Sequence, residues 1–280
     1  MPSGKRSKQQ RRETTGAPKT PPPVRSKGVG ARPRQASPRA LAIGGGVIVL
    51  VVIGVVLALV LGRGGSSTGI PSGTPTIGRV DQNSLPGAAE INALYRGIPQ
   101  KGLSLGSDFA PVQMVMFVDL QCPVCQNFEV TSMPTIVSKY VRTGKVRIDL
   151  KPWQFIGPDS IRGRLAVIAA SFQNKAFDLA GVLYDNQGTE NTGWLTDSMI
   201  AQIAASVPGL NVPQLFAARN SAKAKTLGSQ VDKLALTDNV QGTPTILVGK
   251  AGGKLKDVTT PGSAPTLAQV TTAIDTALAG

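Results

Sequence analysis

Two cysteines are the residues of this sequence whose type and spacing are best suited to chemistry. Cys122 and Cys125 are its only thiols, and they stand in the order Cys-Pro-Val-Cys. A thiolate attacks disulfide sulfurs, so a closely spaced pair can form, break or exchange disulfide bonds. The sequence has no histidine, which excludes mechanisms that use an imidazole as base or ligand. Two thiolates fall short of the four ligands of a structural zinc site unless two chains share the ion, so we expect no metal and no cofactor.

The cysteine pair has two interpretations, a redox centre or an inert structural disulfide. A disulfide that closes so short a loop removes little chain entropy and would stabilise a fold only weakly. The pair precedes a loosely helical pattern that ends at Gly144, with Pro134 expected to kink the helix. Backbone N–H groups and the dipole at a helix start favour thiolate over thiol. We therefore predict a redox pair, with Cys122 as the exposed attacking sulfur and Cys125 as the buried resolving sulfur.

The N-terminal part of the chain predicts a membrane anchor. Residues 41–61 contain no charged residue, Asn or Gln, and at about 1.5 Å per residue they span roughly the 30 Å bilayer core as a helix. Residues 1–40 carry 11 Lys and Arg against one acidic residue, so the positive-inside rule places this tail in the cytoplasm and the C-terminal domain outside it. A cleaved signal peptide is the alternative, but its apolar region is usually about 7–15 residues long.

The net charge of +14 reflects this tail more than the rest of the chain. Residues 1–40 are rich in Pro, Gly, Ser, Lys and Arg, a composition that predicts disorder. A basic disordered tail on the cytoplasmic side is suited to contact with anionic lipid. Nucleic-acid binding by the tail is the lesser alternative, and it would show a steep dependence on salt.

The remaining chain predicts a linker followed by one domain. Residues 62–96 are rich in Gly, Ser, Thr and Pro and predict a flexible linker with a short helix around 88–95. The domain, residues 97–280, opens with Val112–Val118, a nearly continuous apolar run typical of a central strand. Residues 146–150 alternate between apolar and charged side chains, which predicts a second strand with one face buried.

The second half of the domain combines helices with a hairpin. The apolar spacing over about residues 156–240 predicts four helices, around 161–172, 177–184, 199–207 and 227–234. This is too much chain for a single crossover, so we interpret it as a helical insertion. Two strands are then predicted at 244–248 and 255–258 across a Gly-rich turn, and a closing helix at 267–278. The expected fold class is α/β.

Several motifs together resemble the DsbA-like branch of the thioredoxin superfamily. They are Gly97-Ile98-Pro99-Gln100, Leu105-Gly106, Ala110-Pro111-Val112, Asp119-Leu120-Gln121-Cys122-Pro123-Val124-Cys125 and Gly242-Thr243-Pro244-Thr245. The resemblance implies a thioredoxin fold with a helical insertion. It also implies a cis peptide bond at Pro244, which faces the cysteines, while the backbone of Thr243 binds an extended substrate. We place Pro123 and Val124, between the cysteines, on the same substrate-binding surface.

The sequence departs from this family pattern at two positions. Members often have an acidic residue six positions before the first cysteine to assist proton transfer, and here Met116 stands there. Asp119 matches a common family pattern and is a candidate for proton transfer, although it could be a solvated turn residue. Val124 stands where strong oxidants often have histidine. Because valine offers no hydrogen bond or charge to the Cys122 thiolate, we expect stabilisation mainly by backbone amides and a less oxidising couple.

The resemblance implies an enzyme that forms disulfides in exported proteins with cysteines and is reoxidised by a quinone-linked membrane partner. The same pair could instead work as an isomerase or a reductase, since direction depends on potential and partner. A third reading is an anchored peptide-binding module without turnover. Trp153 and Phe155 follow the second predicted strand, where they either line the substrate groove or pack in the core.

Overall fold

The computed structural model describes residues 73–77, 81, 84–259 and 264–280. The predicted basic tail and membrane helix lie outside these residues, as does most of the predicted linker. None of the helices in the described ranges is long and apolar enough to cross a membrane. The short helix expected at the end of the linker is present as α1, Ala88–Tyr95.

A single six-stranded sheet organises the described part of the domain, in the order β1-β2-β4-β3-β5-β6. The strands β3 and β4 pair in parallel and all other neighbours pair antiparallel. The strands are β1 (Gln100–Lys101), β2 (Ser104–Leu105), β3 (Val112–Val118), β4 (Val146–Pro152), β5 (Thr245–Lys250) and β6 (Lys256–Asp257).

Helices cover both faces of this sheet. After α1 they are α2 (Pro123–Thr131), α3 (Met133–Ile136), a π-helical turn (Val137–Val141), α4 (Pro158–Ser171), α5 (Ala176–Asp185), α6 (Asp197–Ser206), α7 (Val212–Arg219), α8 (Ala222–Thr237) and α9 (Leu267–Ala279). The helices α4 to α8 lie between β4 and β5, where the helical insertion was predicted. The α/β fold with a helical insertion is thus confirmed.

The central strand β3 divides its side chains between two cores, as the alternation of a pleated strand requires. Met114 and Met116 belong to the larger core, together with Phe128 of α2 and Ile274 of α9. Phe117 points to the other face, where it belongs to a smaller cluster with residues of α8. Both faces of β3 are therefore covered, which explains its continuous apolar sequence.

The expectation that only one face of β4 is buried is wrong. Asp149, which the alternation assigned to solvent, is 6% exposed. Its carboxylate accepts hydrogen bonds from Ser104 of β2 and Gln113 of β3, and the Arg147 guanidinium lies 3.3 Å from it. Because β4 lies between two strands that supply polar partners, a charged residue can be buried there. The alternation of residue types could not reveal these partners.

The helix after the cysteines is interrupted, but not where the proline was expected to kink it. The break falls at Ser132, between α2 and α3, and Pro134 lies in the first turn of α3. Proline is tolerated in a first turn because the N–H that it lacks has no helical partner there. The chain thus begins a new helix before Pro134 instead of bending at it.

The insertion contains one more helix than the apolar spacing predicted. Four of its helices, α4, α5, α6 and α8, coincide with the predicted apolar repeats, whereas α7 does not. Its main buried apolar residues, Leu215 and Phe216, are adjacent, so eight residues give no clear period. A capping signal is nevertheless present, since the Asn211 side chain accepts a hydrogen bond from the Gln214 N–H.

Candidate active site

The pairing of β3 with β5 brings the two halves of the predicted site together. The register places Phe117, near the end of β3, opposite Thr245, the first residue of β5. The loop that follows β3 therefore lies beside the residues that precede β5. The Thr243–Pro244 peptide bond is cis, as the resemblance implied. The Cys122 Sγ lies 3.4 Å from the Thr243 carbonyl oxygen.

Cys122 is the N-cap residue of α2. Its backbone is extended, and its Sγ accepts a hydrogen bond from the Cys125 N–H at 3.4 Å. Pro123 occupies the first turn of the helix, where its fixed φ angle suits the helix and its missing N–H costs nothing. Both cysteines are free thiols in this structure. The predicted position of the pair at a helix start is confirmed.

The surroundings of Cys122 favour its thiolate. A hydrogen bond with the Cys125 thiol is the largest influence lowering the pKa of Cys122, and burial opposes it. The Thr243 side chain and the backbone N–H groups of Cys125 and Val124 also lower this pKa, which falls from 9.0 to about 6. The expectation that backbone amides would dominate is wrong, because the Cys125 thiol contributes more than they do.

Cys125 has the opposite character. Burial raises its pKa well above 9.0, and the neighbouring Cys122 raises it further. At neutral pH the pair therefore consists of one thiolate and one thiol, as an attacking and a resolving sulfur require. The contrast in exposure is smaller than expected, since Cys122 is 5% exposed and Cys125 is 2% exposed. It is the pKa rather than exposure that distinguishes the two sulfurs.

A cavity of about 470 Å³ adjoins the cysteine motif, with Val124, Thr243 and Pro244 among the residues that line it. Val124 is 40% exposed, so this apolar side chain is available to a bound molecule. The four residues predicted to contact substrate, Pro123, Val124, Thr243 and Pro244, thus lie around one sulfur.

Asp119 is fully buried and holds the loop before Cys122 in place. Its carboxylate accepts hydrogen bonds from the backbone N–H groups of Gln121 at 3.0 Å, Phe155 at 2.7 Å and Ile156 at 2.9 Å. The reading as a solvated turn residue is therefore wrong. These contacts join the loop after β3 to the segment after β4. Its role in proton transfer stays a prediction.

Residues that the sequence did not single out also hold this loop. The Gln187 side-chain amide donates to the Leu120 carbonyl at 2.9 Å, and the Tyr184 hydroxyl donates to the Asp119 carbonyl at 3.1 Å. Both belong to the insertion, at and just after α5. Their distance from the cysteines along the chain left no sequence signal. The insertion therefore positions the site as well as covering the sheet.

The aromatic residues after β4 have different surroundings. Trp153 is partly buried and packs against the smaller core beside Phe117. Phe155 is half-exposed, and its ring centroid lies 5.0 Å from that of Trp153. Among the described residues no cluster of three or more Cys, Asp or Glu side chains could hold a metal ion.

The low pKa of Cys122 leads to a prediction about pH. Iodoacetamide should alkylate Cys122 with a midpoint near pH 6. Because folding lowers this pKa from 9.0 to about 6, the Cys122 thiolate stabilises the reduced form, and it does so fully above pH 9.0. That stabilisation is lost as the pH falls through about 6. Urea unfolding of the reduced and oxidised chains across this range should therefore show the reduced form losing stability relative to the oxidised form, in which Cys122 does not titrate.

A cysteine pair at the start of a helix, facing a cis-proline before an adjacent antiparallel strand, defines the redox site of a thioredoxin fold. A protein-family model described as thioredoxin matches residues 99–274. This chain belongs to that family.

Proteins and structures similar to this chain agree with that assignment. The probable disulfide bond formation protein D of Bacillus cereus is 33% identical over 150 residues, covering 52% of this chain and 68% of that protein. Its counterpart in Bacillus anthracis is 30% identical over 148 residues, covering 52% and 68%. The oxidised BdbD structure from Bacillus subtilis has a TM-score of 0.56 at 22% identity and covers 72% of this chain and 100% of that one. Within the family, the chain is a DsbA-like thiol-disulfide oxidoreductase.

Proposed function

We propose that this oxidoreductase forms disulfide bonds in exported proteins, with Cys122 as the sulfur that forms the mixed disulfide with substrate and Cys125 as its buried partner. The observation that carries the proposal is the thiolate-favouring Cys122 sulfur, 3.4 Å from the Thr243 carbonyl and beside Pro244. A reactive sulfur beside a cavity that Thr243 and Pro244 line suits a substrate that arrives as an extended chain. The names of the Bacillus relatives support the direction of disulfide formation.

The reaction transfers two electrons from substrate to the cysteine pair. A substrate thiolate attacks Cys122 Sγ of the oxidised pair, and the electron pair of the broken S–S bond remains on Cys125 Sγ. A second substrate thiolate then attacks the substrate sulfur of this mixed disulfide. The substrate disulfide forms and Cys122 leaves as a thiolate, which its low pKa favours. The reduced pair must afterwards return its two electrons to an oxidant.

The uncharged segment 41–61 and the basic segment 1–40 before it support a location at the cell membrane. In this proposal residues 41–61 cross the bilayer once, residues 1–40 form a cytoplasmic tail beside anionic lipid, and the segment between residue 62 and α1 tethers the domain outside the cytoplasm. A quinone-linked membrane oxidase would then reoxidise the cysteine pair. A membrane-impermeant maleimide should label reduced Cys122 in intact cells. Labelling only after the cells are broken open would reject this topology.

The direction of the reaction is tested with two substrates. The purified full-length chain in mild detergent, when oxidised, should accelerate disulfide formation in a reduced, unfolded protein. When reduced, it should have little effect on a protein with scrambled disulfides. Acceleration of the second reaction instead of the first would replace the oxidase by an isomerase. Equilibration with a glutathione series would give the potential, which we expect to be less oxidising than that of the strongest oxidants.

A further inference from the structure

The proposed reaction leaves one proton without a source. When the Cys122–Cys125 disulfide opens, Cys125 receives the electron pair in surroundings that raise its pKa well above 9.0. A buried thiolate there must gain a proton, and the reverse step must remove it. Met116, at the position where related proteins often have an acid, is 2% exposed and cannot exchange protons.

Glu129 is a buried carboxyl on the same helix as Cys125. The buried residues of α2 are Cys125, Phe128 and Glu129, which form one face at helical spacing. Residues four apart on a helix have Cβ atoms about 6 Å apart, and helical side chains lean toward the preceding turn. Glu129 therefore lies one helical turn after Cys125 on the same face of α2. At 8% exposure it shares the same covered side of the helix.

Glu129 also borders a route to solvent. A cavity of about 380 Å³ between α1, α2 and α5 is lined by Glu129 together with Glu90, Val130 and Asp185. Its walls include exposed residues, since Glu90 is exposed and Val130 is 50% exposed. A carboxyl that faces this cavity from a buried position can exchange protons with water on one side and lies one helical turn from Cys125 on the other.

We propose that Glu129 exchanges protons with Cys125, giving a proton when the Cys122–Cys125 disulfide opens and accepting it when the disulfide forms. The proposal rests on the thiol-disulfide chemistry proposed above. On opening, the electron pair of the S–S bond moves to Cys125 Sγ, which takes the proton of the Glu129 carboxyl. The Glu129 carboxylate then regains a proton from water in the cavity. On closing, each transfer is reversed.

The surroundings of Glu129 suit it to this exchange at neutral pH. Burial raises its pKa from 4.5 to about 7, the Tyr95 hydrogen bond lowers it and the charge of Asp185 raises it. The Tyr95 hydroxyl donates to Glu129 Oε1 at 2.7 Å. A group with a pKa near the working pH serves equally well as proton donor and acceptor. Glu90 and Asp185 line the same cavity as Glu129. The charges of both Glu129 and Cys125 act on the buried Tyr184 hydroxyl, and those of Glu129, Asp178 and Asp185 act on Tyr95.

The alternative is that Glu129 has only a structural role, joining α1 to α2 through Tyr95. The two roles differ in which step they affect. The reduced full-length chain in mild detergent reacts with dithiobis(nitrobenzoate) in two phases. Cys122 attacks first and releases one thionitrobenzoate, and Cys125 then resolves the mixed disulfide and releases the second. Only the second phase requires Cys125 to lose its proton.

The Glu129→Gln variant should slow the second phase by about 100-fold at pH 7, while the first phase keeps the wild-type rate. An unchanged second phase would overturn the proton-exchange role and leave the proposed function intact. Absence of the first phase from the wild-type chain would instead reject the proposed function.

Two further variants decide the question even if Glu129→Gln fails to fold. In the wild-type chain, the second phase should accelerate with pH around a midpoint near 7. Tyr95→Phe removes a hydrogen bond that lowers the pKa of Glu129, so the midpoint should move up. Asp185→Asn removes a charge that raises this pKa, so the midpoint should move down. Opposite shifts support proton exchange, whereas an unmoved midpoint in both variants rejects it.

Discussion

Replacing Cys122 with serine should reduce disulfide exchange by at least about a thousandfold, since loss of a nucleophile that acts as part of a unit removes nearly all of its rate enhancement. A serine hydroxyl cannot form the mixed disulfide. It also stays protonated at neutral pH, where Cys122 is a thiolate. The measurement is the rate at which the full-length variant oxidises a reduced dithiol peptide. The substitution removes one buried sulfur at a helix N-cap, and serine is itself a good N-cap residue, so the fold should persist.

The Cys125→Ser variant is the matched control for this prediction. It retains the Cys122 thiolate but removes the resolving sulfur, so mixed disulfides with substrate should accumulate and be visible on a nonreducing gel. A Cys125→Ala variant, which removes the hydrogen-bond donor as well, should raise the pKa of Cys122, because the Cys125 thiol is the largest influence that lowers this pKa. The alkylation midpoint should therefore move above pH 6. If the double variant, with both cysteines replaced by serine, kept full cellular function, a peptide-binding module would replace the enzyme.

The sequence predicted the parts of this site that depend on local patterns. The apolar run of β3 and the cysteines at the start of α2 each occupy a few consecutive residues, and the structure has them where they were expected. The approach of Pro244 to Cys122 was available only through the family resemblance, because more than a hundred residues separate the two. Antiparallel pairing of β3 with β5 produces that approach, and pairing between distant strands leaves little trace in one sequence.

The sequence did not predict which polar side chains would be buried around the cysteines. Glu129 stands between Phe128 and Val130 in the helix after the cysteines, and nothing in that local pattern distinguishes it from a solvated carboxylate. Its hydrogen-bond partner Tyr95 lies 34 residues earlier in the chain, on α1, and reaches it only in the folded protein. Asp149 was missed for the same reason. The chemistry of such groups follows from tertiary contacts, so it becomes visible only with the fold.

We expect Asp119 to position the active-site loop. Of the substitutions discussed, removal of its carboxylate should lower the free energy of unfolding most. The Asp119→Ala variant leaves three backbone N–H groups without their acceptor, in a site from which water is largely excluded. Hydrogen bonds to a charged group are worth about 1.5–3 kcal/mol each, but the loop will relax and admit some water. We expect a loss of about 3 kcal/mol in the free energy of unfolding, measured by urea denaturation of the reduced full-length chain.

Two other substitutions distinguish positioning from proton transfer by Asp119. Asp119→Asn keeps one oxygen that can accept from the Phe155 and Ile156 N–H groups, so it should lose roughly half as much stability as the alanine variant. As a control, Asp108→Ala removes an exposed carboxylate paired with exposed Lys101 and should change stability by less than about 0.5 kcal/mol.

If Asp119→Asn kept full stability but changed the pH dependence of the Cys125 step, Asp119 would be a proton-transfer group. If it is a positioning residue, stability should fall and the rate of Cys122 alkylation should fall with it, because the loop that Asp119 holds ends at that sulfur.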